Sequence, residues 1–213
     1  MNIATFATAT AVAALMATGA SAATLSLVAP TETQFNLSGF NPTGSPVDLN
    51  GQDIEFISGD KKTASNGLSV SGPARVTFTY LGYEAGHQNS SYGFGIDGNF
   101  LFENATATVG SSYTYTQAGA DLVNFTFHTA NPLSYFHNHD VADPATGDYA
   151  IGYLRISDTS WYALFDDIAQ NDRDFDDLVL RIDVAPVPLP AAGFLLLGGM
   201  GALGAAARRR KAA

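Results

Sequence analysis

Apolar side chains in the central part of this chain recur at every second position rather than every third or fourth. Arg75-Val76-Thr77-Phe78-Thr79-Tyr80 places Val76, Phe78 and Tyr80 on one face of an extended segment. Val123, Phe125 and Phe127 do the same within Asp121 to His128, leaving Asn124 and Thr126 for solvent. Leu178, Leu180, Ile182 and Val184 alternate with Val179, Arg181 and Asp183. Side chains repeat every second residue along a strand and every 3.6 along a helix, so the pattern specifies strands with one buried face. Thr24–Val28, Ile54–Ser58, Tyr92–Ile96, Asn99–Phe102, Ser112–Thr116, Ile151–Ile156 and Trp161–Phe165 are further segments of this kind. They are rich in the Thr, Val, Phe and Tyr that suit a half-buried pleated surface.

Turn residues divide these segments. Asp97-Gly98 reads as a tight hairpin between two of them, and Asn66-Gly67 before Leu68 as another. No stretch between the two ends carries a helical apolar stripe. About ten short strands separated by turns predict an all-β domain, an antiparallel sandwich of jelly-roll type. Asn131 to Tyr149, rich in Asp, Asn, His and Pro, reads as a long loop. No internal repeat is visible.

The two ends read differently. Residues 1–22 carry no charged side chain, contain an apolar stretch from Ala11 to Met16, and close on Ala20-Ser21-Ala22. Small residues in that spacing suit a signal peptidase, so 1–22 is expected to be a cleaved signal peptide. Val187 to Ala207 is apolar or small throughout and runs directly into Arg208, Arg209, Arg210 and Lys211. About 21 residues at 1.5 Å each cross a hydrocarbon core of roughly 30 Å, and the basic cluster is retained in the cytoplasm. A transmembrane helix is therefore expected in 186–213, with the β-rich domain, 23–185, outside the cell.

Charge narrows the partners. The chain has 20 acidic and 10 basic residues. Four of the basic ones stand in the tail, which leaves the domain 20 against 6, a formal −14. Such a surface repels nucleic acid and anionic headgroups and attracts divalent cations. There is no cysteine, so stability must come from packing, helped by any bound metal.

The densest acidic segment is the strongest chemical candidate. Asp172, Asp174 and Asp176 stand at alternate positions, with Asp177 beside them and Asp166 and Asp167 upstream. Six carboxylates this close repel one another unless water solvates them or a cation bridges them. Calcium, which takes six to eight oxygen ligands, fits that need. The segment is not an EF-hand loop, because Asp177 stands where that loop needs Gly. Two readings stay open: a structural calcium turn leading into the last strand, or a solvated acidic turn. His137-Asn138-His139-Asp140, with Asp143, His128 and His87 elsewhere, is a weaker zinc candidate that lacks an evident third and fourth ligand.

Catalytic patterns are sparse. Gly93-Phe94-Gly95-Ile96-Asp97-Gly98 matches a dinucleotide fingerprint but is followed by a strand rather than a helix. Neither a nucleophile elbow nor an H-E-x-x-H pair occurs. Glu84 and Glu103 are the acids to consider for a hydrolase. Tyr113 and Tyr115 share one strand face and are the aromatic pair to consider for stacking on a sugar.

Val187-Pro188-Leu189-Pro190-Ala191, the Leu- and Gly-rich span after it and the terminal basic cluster together resemble the VPLPA variety of PEP-CTERM sorting signal. That resemblance implies processing by an exosortase-type membrane protease and delivery to the surface of a bacterium that makes extracellular polysaccharide. The segments Val76 to Asn89, Tyr162 to Asp167 and Asp172 to Val179 resemble those of uncharacterised exported domains that carry such tails. The expectation is an exported, non-enzymatic protein of the cell surface or extracellular matrix. A polysaccharide-binding, lectin-like module is the alternative, and a secreted hydrolase the third reading.

Overall fold

The alternating segments that fall among the described residues form strands, and these pair antiparallel; of Tyr92–Ile96 and Asn99–Phe102 only 92–93 and 101–102 are described. The computed structural model of the chain describes residues 22–84, 89–93, 101–104, 106–130, 133–138, 149–167, 173–187 and 198–201. The strands are β1 (Leu25–Val28), β2 (Glu32–Asn36), β3 (Asp53–Ser58), β4 (Gly67–Val70), β5 (Ala74–Gly82), β6 (Asn89–Gly93) and β7 (Phe102–Glu103). They continue with β8 (Ser112–Gln117), β9 (Asp121–Leu122), β10 (Phe125–Ala130), β11 (Leu133–His137), β12 (Ala150–Ser157), β13 (Ser160–Asp166) and β14 (Leu178–Pro186). One sheet has seven strands in the order β2-β3-β12-β13-β14-β5-β8, a second has β11-β10-β6-β7, and a third β1-β4-β9. All of these strands fall in one compact unit, Ala22–Pro186.

The seven-stranded sheet is buried on both faces at its centre. Alternation sends Val76, Phe78 and Tyr80 of β5, Ile151 and Tyr153 of β12, Trp161, Ala163 and Phe165 of β13, and Leu180, Ile182 and Val184 of β14 to one side. There they meet Leu25, Leu68 and Val70 of the three-stranded sheet and Phe125, Phe127 and Phe136 of the four-stranded sheet. Phe127 stacks on Phe165 with ring centroids 4.8 Å apart. The intervening residues Ile54, Phe56, Ala150, Leu164 and Val179 go to the opposite side, where Leu37, Phe40, Leu49 and Phe175 cover them. Each fully buried side chain of this size contributes about 1.5–3 kcal/mol.

Asn138 ties the three sheets together. It follows β11 and is wholly buried. Its Oδ1 accepts the Leu68 N–H at 2.8 Å and the Tyr153 hydroxyl at 2.7 Å. Its Nδ2 donates to the carbonyls of Leu68 at 2.9 Å and Val123 at 2.5 Å. Gly67 must lack a side chain here: its φ is +151°, and a Cβ would lie 2.5 Å from the Asn138 carbonyl oxygen.

Several expectations are corrected. Asp121 to His128 is not one strand; it breaks at Val123-Asn124 into β9 and β10, which belong to different sheets. Thr126 is buried at 6 % exposure rather than facing solvent, and its hydroxyl meets His137 Nδ1 at 2.7 Å. Asn66-Gly67 is not a hairpin, since β3 and β4 lie in different sheets. Instead the buried Asn66 side chain accepts the Thr63 N–H at 2.9 Å and receives the Lys62 ammonium, turning the chain into β4. The loop expected over Asn131 to Tyr149 contains β11. Asp97-Gly98 lies outside the described residues.

The ends of the chain are mostly outside the described residues. The expected signal peptide is, apart from Ala22. Of the expected sorting tail, Pro188, Leu189, Pro190, Ala191, Arg208, Arg209, Arg210 and Lys211 lie outside them; Val187 and a helical turn at 198–201 are described. Among the described residues no helix is long and apolar enough to cross a membrane.

Candidate functional site

The acidic segment is built where β13 ends and β14 begins. These neighbouring strands are joined by the residues from Asp167 to Asp177, and Asp177 N donates to Phe165 O at 3.2 Å as the chain returns to the sheet. Phe175 anchors that return. Its ring is fully buried and lies 5.5 Å from Phe56 and 5.6 Å from Phe35. Gly152 of β12 makes the room, since a Cβ there would sit 2.8 Å from both Phe175 Cδ1 and Ile54 Cδ1. Arg173 and Phe175 adopt left-handed backbone, with φ of 53° and 58°, a conformation that costs non-glycine residues about 1 kcal/mol or more. The Arg173 guanidinium carbon stands 5.7 Å over the Phe56 ring.

An apolar plug between aspartates has a consequence for the carboxylates: they are drawn inward with it. Asp166 and Asp176 have no exposed surface, and Asp167 and Asp177 retain 7 % and 8 %. Asp174 is half-buried, and Asp172 lies outside the described residues. Asp177 Oδ2 accepts the Asp167 N–H at 2.7 Å. Asp176 Oδ2 accepts the Asn41 N–H at 2.5 Å, while its Oδ1 is buried without a hydrogen-bond partner among the described residues. Glu84, just past β5, bonds the turn through its backbone, its N–H donating to Asp176 O at 2.8 Å. Among the described residues, no hydrogen bond or ion pair of Asp167, Asp176 or Asp177 goes to a lysine or arginine.

Burial makes ionisation costly for Asp176 and Asp177. Burial pushes the Asp177 carboxyl up to about 9, with the charges of Asp167, Asp166 and Asp174 adding and the Asp167 N–H opposing. Burial likewise holds Asp176 up at about 7, opposed by the Asn41 N–H and reinforced by Asp174 and Glu84. The arrangement therefore favours any positive species that reaches it, proton or metal ion. Among the described residues no three His, Cys, Asp or Glu side chains are grouped to hold a metal ion by themselves. Neutral oxygen donors would have to complete a calcium shell.

One such donor was not legible in the sequence. Asn89 opens β6 in the four-stranded sheet, is wholly buried, and donates Nδ2 to Asp167 Oδ2 at 2.9 Å. Its Oδ1 has no partner among the described residues, and neither does the buried Ser91 Oγ two residues on.

Of the other sequence candidates that fall among the described residues, only Glu84 is brought to this site. Tyr113 and Tyr115 do share a face of β8, but it is the core face. Tyr115 is 9 % exposed and stacks on Phe78 at 5.9 Å, while the half-buried Tyr113 packs against the same cluster. The pair is therefore no exposed platform for a sugar. His137 is engaged with Thr126, and Asn138 is the hub of the three sheets; His87, His139, Asp140 and Asp143 lie outside the described residues. The buried His128 lies against Tyr135, with ring centroids 4.7 Å apart and the planes tilted by 35°, and desolvation lowers its pKa. Glu103 in β7 accepts the Thr106 hydroxyl at 3.3 Å. Scanned against protein-family models, curated proteins and solved structures, the chain matches none.

Proposed function

We propose that the chain is an exported, non-enzymatic protein of the cell surface or extracellular matrix, whose β-sandwich domain is stabilised by calcium at the turn from Asp166 to Asp177. The observation that carries the reading is the burial of Asp166, Asp167, Asp176 and Asp177 together at one end of two adjacent strands. Asp167, Asp176 and Asp177, buried with no lysine or arginine partner among the described residues, cost stability unless a cation compensates them, and extracellular calcium, on the order of millimolar, supports weak sites. The domain's formal −14 favours the same counterion. As a sandwich, the seven-stranded sheet forms one layer and the two smaller sheets the other. Its centre is a β12-β13-β14 meander rather than the alternation between sheets of a jelly roll.

Residues 1–22 and the tail support export and sorting by an exosortase-type membrane protease, with Val187-Pro188-Leu189-Pro190-Ala191 as the recognised segment and Arg208 to Lys211 held in the cytoplasm. Contact with extracellular polysaccharide is the alternative, and it has lost the Tyr113 and Tyr115 platform that motivated it. The test is thermal unfolding of the purified chain in about 5 mM calcium and in chelator. Binding to the native state alone adds about 2.7 kcal/mol at a hundredfold excess over Kd, so calcium should raise Tm. An unchanged Tm would remove calcium from the reading.

A further inference from the structure

Calcium at the acidic turn, the reading on which the following rests, leaves open which atoms complete the ion's shell and what they join. Asp167 and Asp177 come from the ends of β13 and β14, both in the seven-stranded sheet. Asn89 comes from β6 in the four-stranded sheet, where it pairs with Thr129. The Asn89 side chain already reaches across, with Nδ2 2.9 Å from Asp167 Oδ2. Its carbonyl oxygen, on the same planar amide, is wholly buried and without a partner among the described residues. An orphaned buried acceptor costs about 1–3 kcal/mol, and native structures leave few of them. The same amide meets a carboxylate through its nitrogen, so a cation shared with that carboxylate would satisfy the oxygen.

We propose that one divalent cation bridges the two sheets, bound by the carboxylates of Asp167 and Asp177 and by the Asn89 side-chain oxygen. The donors are all oxygen and mix charged with neutral, which selects a hard ion over zinc or copper. Calcium accepts such mixed, irregular shells at 2.3–2.6 Å, with carboxylate, amide, backbone and water oxygens together, whereas magnesium demands near-octahedral geometry. The neutral Asn89 oxygen supplies what the aspartates lack as a group. It also makes the ion a clasp between layers rather than a local staple within one turn.

The test titrates calcium chloride alone into the full chain by calorimetry, comparing the natural sequence with Asn89→Leu and Asn89→Asp. Asn89→Leu should weaken binding by at least about tenfold, since even outer-sphere partners of a metal are worth that much. Asn89→Asp keeps an oxygen in place and adds a charge, so it should bind calcium more tightly, which covers the case in which the leucine variant does not fold. Unchanged affinity in Asn89→Leu, or no tightening in Asn89→Asp, overturns the bridge while leaving a calcium-bound turn intact. No heat from the natural chain up to about 10 mM calcium removes both. Magnesium binding as tightly as calcium overturns the choice of ion.

Discussion

Replacing Asp177 with Asn should stabilise the domain without calcium and weaken its response to calcium. The folded protein raises this carboxyl from 3.8 to about 9, chiefly through burial. At about pH 7.5 the unfolded chain carries Asp177 ionised, while the native state must hold a proton there. Holding it against that pH sets a ceiling of about 5 kcal/mol on the cost. Rearrangement and water entry around a buried charge recover part of this. The asparagine keeps an Oδ1 to accept the Asp167 N–H, now at 2.7 Å, and its Nδ2 can donate to the carboxylates beside it. We expect a net gain of ~2 kcal/mol, or about 4–8 °C in Tm for a domain of this size. Circular dichroism melts in chelator and in about 5 mM calcium read both arms. The variant should melt above the natural chain in chelator and gain less on adding calcium. Asp177→Asn melting lower in chelator would refute the argument, because it would mean the ionised carboxylate is already compensated within the protein.

Two further outcomes follow from the same geometry. In chelator, the natural chain should lose stability as pH rises from about 4 to 9: raised acids favour the native state below the unfolded value of 3.8 and lose that contribution through their folded values of about 7 for Asp176 and about 9 for Asp177. Chemical denaturation at stepped pH measures this, and stability that climbs across the window contradicts it. Asn138→Leu should cost about 3 kcal/mol, because it strands the Leu68 N–H and the Val123 carbonyl in the interior. Urea unfolding of that variant against the natural chain gives the value, and a loss under about 1 kcal/mol would deny Asn138 its role between the sheets.

The strands legible in the sequence are those whose two faces differ in polarity. β5 and β14 show alternation over most of their length, and both emerge with Val76, Phe78, Tyr80, Leu180, Ile182 and Val184 in the core. β2 gives little signal because Glu-Thr-Gln-Phe-Asn is an edge strand with little to bury, and β11 gives little because its flanks are full of turn-forming residues. Alternation groups Tyr113 with Tyr115 but does not say which face meets another sheet; only the stacking of layers decides that. Similarly, spacing gathers the aspartates, yet their burial depends on Phe175 docking against Gly152, a contact set by packing. An aromatic residue amid aspartates was the one available hint. Asn89 lies 78 residues from Asp167 and carries no local signal.

The place of β14 bears on the order in which the molecule can be made. It lies between β13 and β5 and pairs with β5 from Val179↔Gly82 to Pro186↔Ala74, a closure of roughly 100 residues that makes for slow folding. In an exported chain β5 crosses the membrane ahead of β14, and its inner edge stays bare until that last strand arrives. During that interval Val76, Phe78 and Tyr80 have only β8 beside them in the sheet. A nascent chain halted before β14 would expose two unpaired edges, which is the geometry of edge-to-edge association. The final nine-residue strand is thus the step at which a sticky intermediate becomes a closed sheet.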